Sequence, residues 1–115
     1  MSMKILIVDD EFEVRETLKN MLSGADFDLM FASDAITALL ALKDNDDVQT
    51  IITDYRLPGL GGKDWVDILK HYHSGKNIVV ISGFEIAQKL VSDKAKVVLK
   101  PFTRAQLMDA IEIKG

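Results

Sequence analysis

Apolar residues fall into two kinds of segment that alternate along the chain. Lys4 to Val8, Leu29 to Ala32, Thr50 to Thr53, Asn77 to Ile81 and Lys96 to Leu99 are short runs rich in Ile, Val and Leu. Most end at a polar or turn residue. Runs of this kind read as strands covered on both faces, the habit of a parallel sheet. Between them the spacing becomes helical. Val14, Leu18, Met21 and Leu22 recur on one face, and Ser23-Gly24 supplies a C-cap. Ile36, Leu39 and Leu40 repeat the pattern after an N-cap at Ser33-Asp34. Trp65, Ile68, Leu69 and Tyr72 follow the turn region Pro58 to Gly62, and Ile86, Leu90 and Val91 mark a short fourth helix. The last segment opens on Thr103-Arg104-Ala105-Gln106, a capping box, and buries Leu107, Ala110 and Ile111.

The order is therefore βαβαβαβαβα, an α/β pattern. Strict alternation with right-handed crossovers predicts a parallel sheet with helices on both faces. Ligands of such open sheets sit beyond the carboxyl ends of the strands, where the strand order reverses. The informative residues should follow strands one, three, four and five.

Composition narrows the possibilities. A chain of 115 residues predicts one domain, residues 1–115. It can bury roughly two-thirds of the surface its unfolded form exposes, so it needs no disulfide or structural metal. With no cysteine, it has no disulfide framework, thiolate zinc site or cysteine nucleophile. A reducing cytoplasmic setting is compatible with that. No apolar run approaches the eighteen or so residues of a membrane span. The run Ile5 to Val8 is too brief for a signal peptide and leads straight into Asp9, Asp10 and Glu11. A net charge of −4 argues against a nucleic-acid surface.

The candidate chemistry lies at the strand ends. Strand one ends in Asp9-Asp10-Glu11, strand three in Asp54, strand four in Ser82-Gly83 and strand five in Lys100-Pro101. A doubly wound fold gathers these places on one rim. Clustered carboxylates repel and raise one another's pKa, so the arrangement calls for a cation. Mg²⁺ suits it, being hard, oxygen-seeking and satisfied by one or two protein carboxylates. Zinc is disfavoured by the missing Cys and the lack of paired His nearby. A carboxylate beside Mg²⁺ can attack phosphorus and form an acyl phosphate, with metal and lysine neutralising the phosphoryl oxygens. Taken singly, Asp9-Asp10 reads as a solvated helix start, Asp54 as a loop residue or cap, and Lys100-Pro101 as an ordinary turn. Matched positions on several strand ends are hard to explain as loop composition.

Over nearly its whole length the chain resembles the receiver domain of bacterial response regulators. The match is carried by ILIVDDE at 5–11, TDYRLPGLGG at 53–62, ISG at 81–83 and LKPF at 99–102. The resemblance implies a flavodoxin-like (βα)5 fold, a doubly wound five-stranded parallel sheet of order 2-1-3-4-5. It implies that Asp54 is the phosphoacceptor. Asp9, Asp10, Asp54 and the backbone carbonyl of Arg56 would hold Mg²⁺, and Ser82 and Lys100 would contact the phosphoryl group. The Lys100-Pro101 bond would be cis. The donor would be a sensor histidine kinase, a phosphotransfer protein or a small acyl phosphate. The output would pass through the surface of the fourth helix, fifth strand and last helix to an output domain or downstream protein.

The second half departs from the family. Many receivers carry Tyr or Phe three residues before the site lysine, and here that place holds Val97, which has no ring to relocate and a stiff χ1. The stretch from Ser82 to Lys100 is also about one helical turn shorter than usual, which trims the fourth helix. Arg56 and Phe84, two residues after Asp54 and Ser82, should flank the approach of a hydrolysing water and tune the phosphoryl lifetime. The bland reading of Phe84 is an anchor for the fourth helix.

Other residues stay unpromoted. His71 and His73 lie two apart on different helix faces, Trp65 reads as packing, and Asp44, Asp46 and Asp47 read as a solvated loop. Gly59, Gly61 and Gly62 lack a Walker ending and suit a turn after Asp54. Two other functions compete. An aspartyl phosphatase of the haloacid dehalogenase-like kind needs an acid two residues after the nucleophile, where this chain has Arg56, so a non-enzymatic module is expected. A receiver-like interaction module without phosphorylation is the other. Only Lys114-Gly115 follow Ile113. Either a stand-alone receiver or a segment of a longer chain is expected, and the abrupt end of the last helix favours the second.

Overall fold

A computed structural model describes residues 2–83 and 95–111. Five strands, β1 (Met3–Val8), β2 (Phe27–Ala32), β3 (Thr50–Asp54), β4 (Asn77–Ser82) and β5 (Ala95–Leu99), form one parallel sheet in the order β2-β1-β3-β4-β5. Helices α1 (Phe12–Leu22), α2 (Ala35–Asp44), α3 (Gly62–Tyr72) and a C-terminal helix (Arg104–Ile111) cover it. This is the doubly wound, flavodoxin-like architecture. The expected fourth helix, with Ile86, Leu90 and Val91, lies outside the described residues, as does Phe84.

The central strands are apolar on both faces because both faces are covered, and the strand period of two sorts their side chains. Leu6, Val8, Ile51, Ile78 and Val80 face α2 and α3, around Trp65, Val66 and Leu69. Ile5, Ile7, Ile52, Val79 and Ile81 face α1 and the C-terminal helix, meeting Leu18, Leu22 and Leu107. Each such side chain contributes about 1.5–3 kcal/mol by leaving water.

The expected caps form. Asp34 Oδ1 accepts from the Thr37 amide at 2.7 Å. In the capping box at the last helix, the Gln106 amide donates to Thr103 Oγ1 at 3.1 Å and Gln106 Oε1 accepts from the Thr103 amide at 2.8 Å. The other end of that helix is tied to the sheet. Asn77 Nδ2 donates to the carbonyls of Ala110 and Ile111 at 3.0 and 3.1 Å, and Lys96 Nζ donates to that of Ala110 at 2.9 Å. These side chains satisfy carbonyls that the helix itself leaves without partners.

The packed face of α2 differs from the one expected. Ala35, Ala38 and Leu42 are buried, while Ile36 and Leu40 are 72% and 58% exposed and Leu39 is partly buried. The helix is apolar nearly all round, so periodicity alone defines no single face. The small alanines let its backbone settle close to the sheet, which turns the larger side chains outward. Tyr72, at the end of α3, is likewise exposed rather than packed.

Ile36→Ser should therefore change stability by no more than about 0.5 kcal/mol. Ala38→Leu should overpack the α2–sheet contact and cost about 1–3 kcal/mol. Urea unfolding midpoints of the two variants test this, and a larger loss from Ile36→Ser would reverse the assignment of the face.

Candidate functional site

Strand register assembles the site. Val8 lies opposite Thr53, which sets Asp9 beside Asp54. Asp54 lies opposite Ile81, and Ser82 opposite Leu99, one residue before Lys100. Ladder hydrogen bonds continue past the strand ends. The Asp9 amide donates to the Ala32 carbonyl at 3.1 Å, the Tyr55 amide to that of Ile81 at 2.8 Å, and the Lys100 amide to that of Ser82 at 2.8 Å. The site residues thus sit on backbone held by the sheet, not on free loop.

The side chains meet as the strand ends suggest. Asp9, Asp10 and Asp54 each offer a carboxylate oxygen within 4.8 Å of the others. Asp9 is buried at 2% exposure, Asp54 is half-buried and Asp10 is exposed. Lys100 Nζ stands 3.8 Å from Asp54 Oδ1, an ion pair too long for a direct hydrogen bond. Ser82 is buried at the end of β4, and the Lys100–Pro101 peptide bond is cis. Asp10, Asp54, Arg56, Ser82 and Lys100 line a cleft of about 480 Å³.

Burial and charge together work against ionisation here. Loss of hydration pushes the Asp9 carboxyl up to about 6, aided by the negative charges of Asp54 and Asp10, while the Glu11 amide, donating to Asp9 Oδ1 at 2.8 Å, and Lys100 oppose the rise. Burial also raises Asp54 above the ordinary carboxylate range, against the pull of Lys100 and the backbone amide of Arg56, 3.5 Å from Oδ1. A cluster of hard oxygen donors in which Asp9 and Asp54 are held above the ordinary carboxylate range fits a divalent cation of the Mg²⁺ kind. Among the described residues this is the one group of three acidic, His or Cys side chains close enough to hold a metal.

The structure gives supporting roles that the sequence reading did not, and Arg15 escaped that reading altogether. Arg15, on α1, donates from its guanidinium to the Asp9 carbonyl. Gly61 is required by space: a Cβ there would stand 2.5 Å from the Leu57 amide nitrogen and 2.8 Å from its carbonyl oxygen. It closes the turn between β3 and α3, where the sequence showed only that a turn follows Asp54. Val97 lies opposite Val80 and packs partly buried against the core. Asp47 pairs with Lys4 at 2.8 Å, at the opposite end of the sheet. No helix among the described residues is long and apolar enough to cross a membrane.

In metal-free protein, a folded-state Asp9 pKa near 6, against an ordinary 3.8, makes the folded state hold its proton more tightly than the unfolded chain. The stability this contributes is complete below about pH 4 and is lost as pH rises through about 6. Urea unfolding in chelator at several pH values should show wild type losing on the order of 2 kcal/mol relative to Asp9→Asn across that window. Parallel pH profiles for the two proteins would refute this account of Asp9.

Comparison with known proteins gives a consistent picture. The sequence model of the response regulator receiver domain matches residues 5–112. Chemotaxis protein CheY-3 of Vibrio cholerae is 31% identical over 121 residues, covering 96% of this chain and 90% of that protein. A CheY homolog of Campylobacter jejuni is 33% identical over 118 residues, with coverage of 96% and 90%. The structure of a CheX-CheY-BeF3-Mg complex from Borrelia burgdorferi aligns with a TM-score of 0.84 at 22% identity, over 95% of this chain and 86% of that one. At that identity the likeness establishes the fold.

Proposed function

Because the chain belongs to the response regulator receiver family, a family of signalling modules, we propose that it accepts a phosphoryl group on Asp54 and relays that state to a partner. The observation that carries this reading is the convergence of Asp9, Asp10 and Asp54 within 4.8 Å, with Lys100 3.8 Å from Asp54. A carboxylate oxygen of Asp54 attacks phosphorus and forms the P–O bond of an acyl phosphate. The P–N bond of a phosphohistidine donor, or the P–O bond of a small acyl phosphate, breaks, and its electron pair leaves with the donor. Lys100 neutralises charge on the phosphoryl oxygens, and the Ser82 hydroxyl donates to them from the β4 side. Asp9, Asp10, Asp54 and the Arg56 carbonyl would hold Mg²⁺, which would supply positive charge to the same oxygens.

The donor is a sensor histidine kinase or phosphotransfer protein. The receiving partner is an output domain or a separate protein, as the Borrelia relative in its complex with CheX suggests. We assign the output to the side of β5 and the C-terminal helix, where the sequence also expects the fourth helix, which lies outside the described residues. With Val97 in place of an aromatic ring, that face responds through backbone movement of β4 and β5. Val97 and the short stretch from Ser82 to Lys100 favour the alternative, an interaction module that is never phosphorylated.

Incubation with acetyl phosphate and Mg²⁺ should add one phosphoryl group to the intact mass. Asp54→Asn or a chelator should abolish the gain, and Lys100→Ala should slow it by about a hundredfold. No gain in wild type, or a gain that survives Asp54→Asn, excludes the phosphoacceptor reading. In this reading Arg56 flanks the path of a hydrolysing water; Phe84, expected from the sequence to do the same, lies outside the described residues. Phe84→Ala should then shorten the lifetime of the phosphorylated form, and an unchanged half-time would remove Phe84 from that role.

A further inference from the structure

Trp65 is the chain's sole tryptophan and is fully buried on α3, within the cluster that covers one face of the sheet. Its indole is not purely packing. Nε1 donates to Thr53 Oγ1 at 2.8 Å, and Thr53 Oγ1 in turn donates to the Asp54 carbonyl at 3.0 Å. The peptide plane between Asp54 and Tyr55 is thereby held from two directions: its carbonyl by the Thr53 hydroxyl, and its N–H by the Ile81 carbonyl at 2.8 Å. That plane sets the direction in which the Asp54 side chain leaves the backbone and the path of the chain towards Arg56. The Thr53 hydroxyl has one hydrogen to donate, and the indole can only donate. Only with the indole as donor and the hydroxyl pointing at the Asp54 carbonyl are both groups satisfied, which fixes the direction of the relay. An apolar residue at 65 would fill the volume but would leave the hydroxyl free to turn.

We propose that Trp65 is a positioning residue for Asp54, acting through the Thr53 hydroxyl, and that its indole reports the state of the carboxylate cluster. The inference rests on Asp54 being the phosphoacceptor. Cation binding or phosphorylation shifts the Asp54 backbone, the Thr53 hydroxyl follows, and the indole hydrogen bond changes with it.

Three variants separate this role from plain packing. Thr53→Val keeps the shape and removes the hydroxyl, Trp65→Phe keeps an aromatic ring and removes the N–H, and Thr53→Ser restores a hydroxyl. Tryptophan emission of wild type should change on titration with Mg²⁺, and Thr53→Val should lose most of that change and shift its Mg²⁺ midpoint. Labelling by acetyl phosphate, read by intact mass, should slow by about tenfold in Thr53→Val and in Trp65→Phe, the change expected from one hydrogen bond of ordinary strength. The double variant should be no slower than Thr53→Val alone, because the two groups act in series. Thr53→Ser should recover the rate. A packing role would lower the urea midpoint of the variants while leaving rates, Mg²⁺ midpoint and emission change as in wild type, and that result would overturn the proposal. Absence of labelling in wild type, or labelling that persists in Asp54→Asn, instead overturns the phosphoacceptor reading. In that case a Mg²⁺ midpoint unchanged by Thr53→Val overturns the coupling as well, and a shifted one upholds it.

Discussion

The parallel register of β1, β3, β4 and β5 is the constraint on which the rest of the site depends. Asp9, Asp54, Ser82 and Lys100 come from distant parts of the chain, and each lies at or just beyond a strand end. They meet because Val8 pairs with Thr53, Asp54 with Ile81 and Ser82 with Leu99. A slip of one residue in any of these pairings would exchange the two faces of that strand and lift one group out of the cluster. The apolar covering that fixes the register on both faces therefore also fixes the geometry of the carboxylates. Fold stability and site assembly are here the same interaction seen from two ends.

The site opposes the fold in one respect. Holding Asp9 buried beside two other carboxylates costs free energy whenever all are ionised, as the raised pKa of Asp9 shows. One ammonium, 3.8 Å from Asp54 and partly in solvent, offsets this only in part. The repulsion is confined to the carboxylates, so positive charge entering the cleft relieves it there.

Much of this was legible in the sequence because the strongest signals are local. Ile5 to Val8 and Ile78 to Ile81 read as doubly covered strands with no long-range information, and Asp34 and the Thr103–Gln106 pair read as caps from chemistry a few residues long. The convergence of Asp9, Asp54 and Lys100 followed from strand order. Features that depend on how surfaces meet were not legible. The apolar girth of α2 hid that Ala35 and Ala38, not Ile36 and Leu40, face the sheet. Trp65 looked like packing because nothing in its helical spacing shows that Thr53 lies under its indole nitrogen. Gly61 looked like one of several turn glycines because its closeness to Leu57 exists only once the turn has closed.

The hydrogen bonds from Asn77 and Lys96 to the last carbonyls of the C-terminal helix have a mechanical meaning. They pin that helix to the start of β4 and to the body of β5, at the end of the sheet remote from Asp54. Ser82 and Lys100 sit at the opposite ends of the same two strands. Sliding the helix along the sheet would break these bonds. The first residue of the helix is tied separately to α1, where Arg104 Nε donates to the Met21 carbonyl at 2.7 Å, so the helix is fastened at both ends.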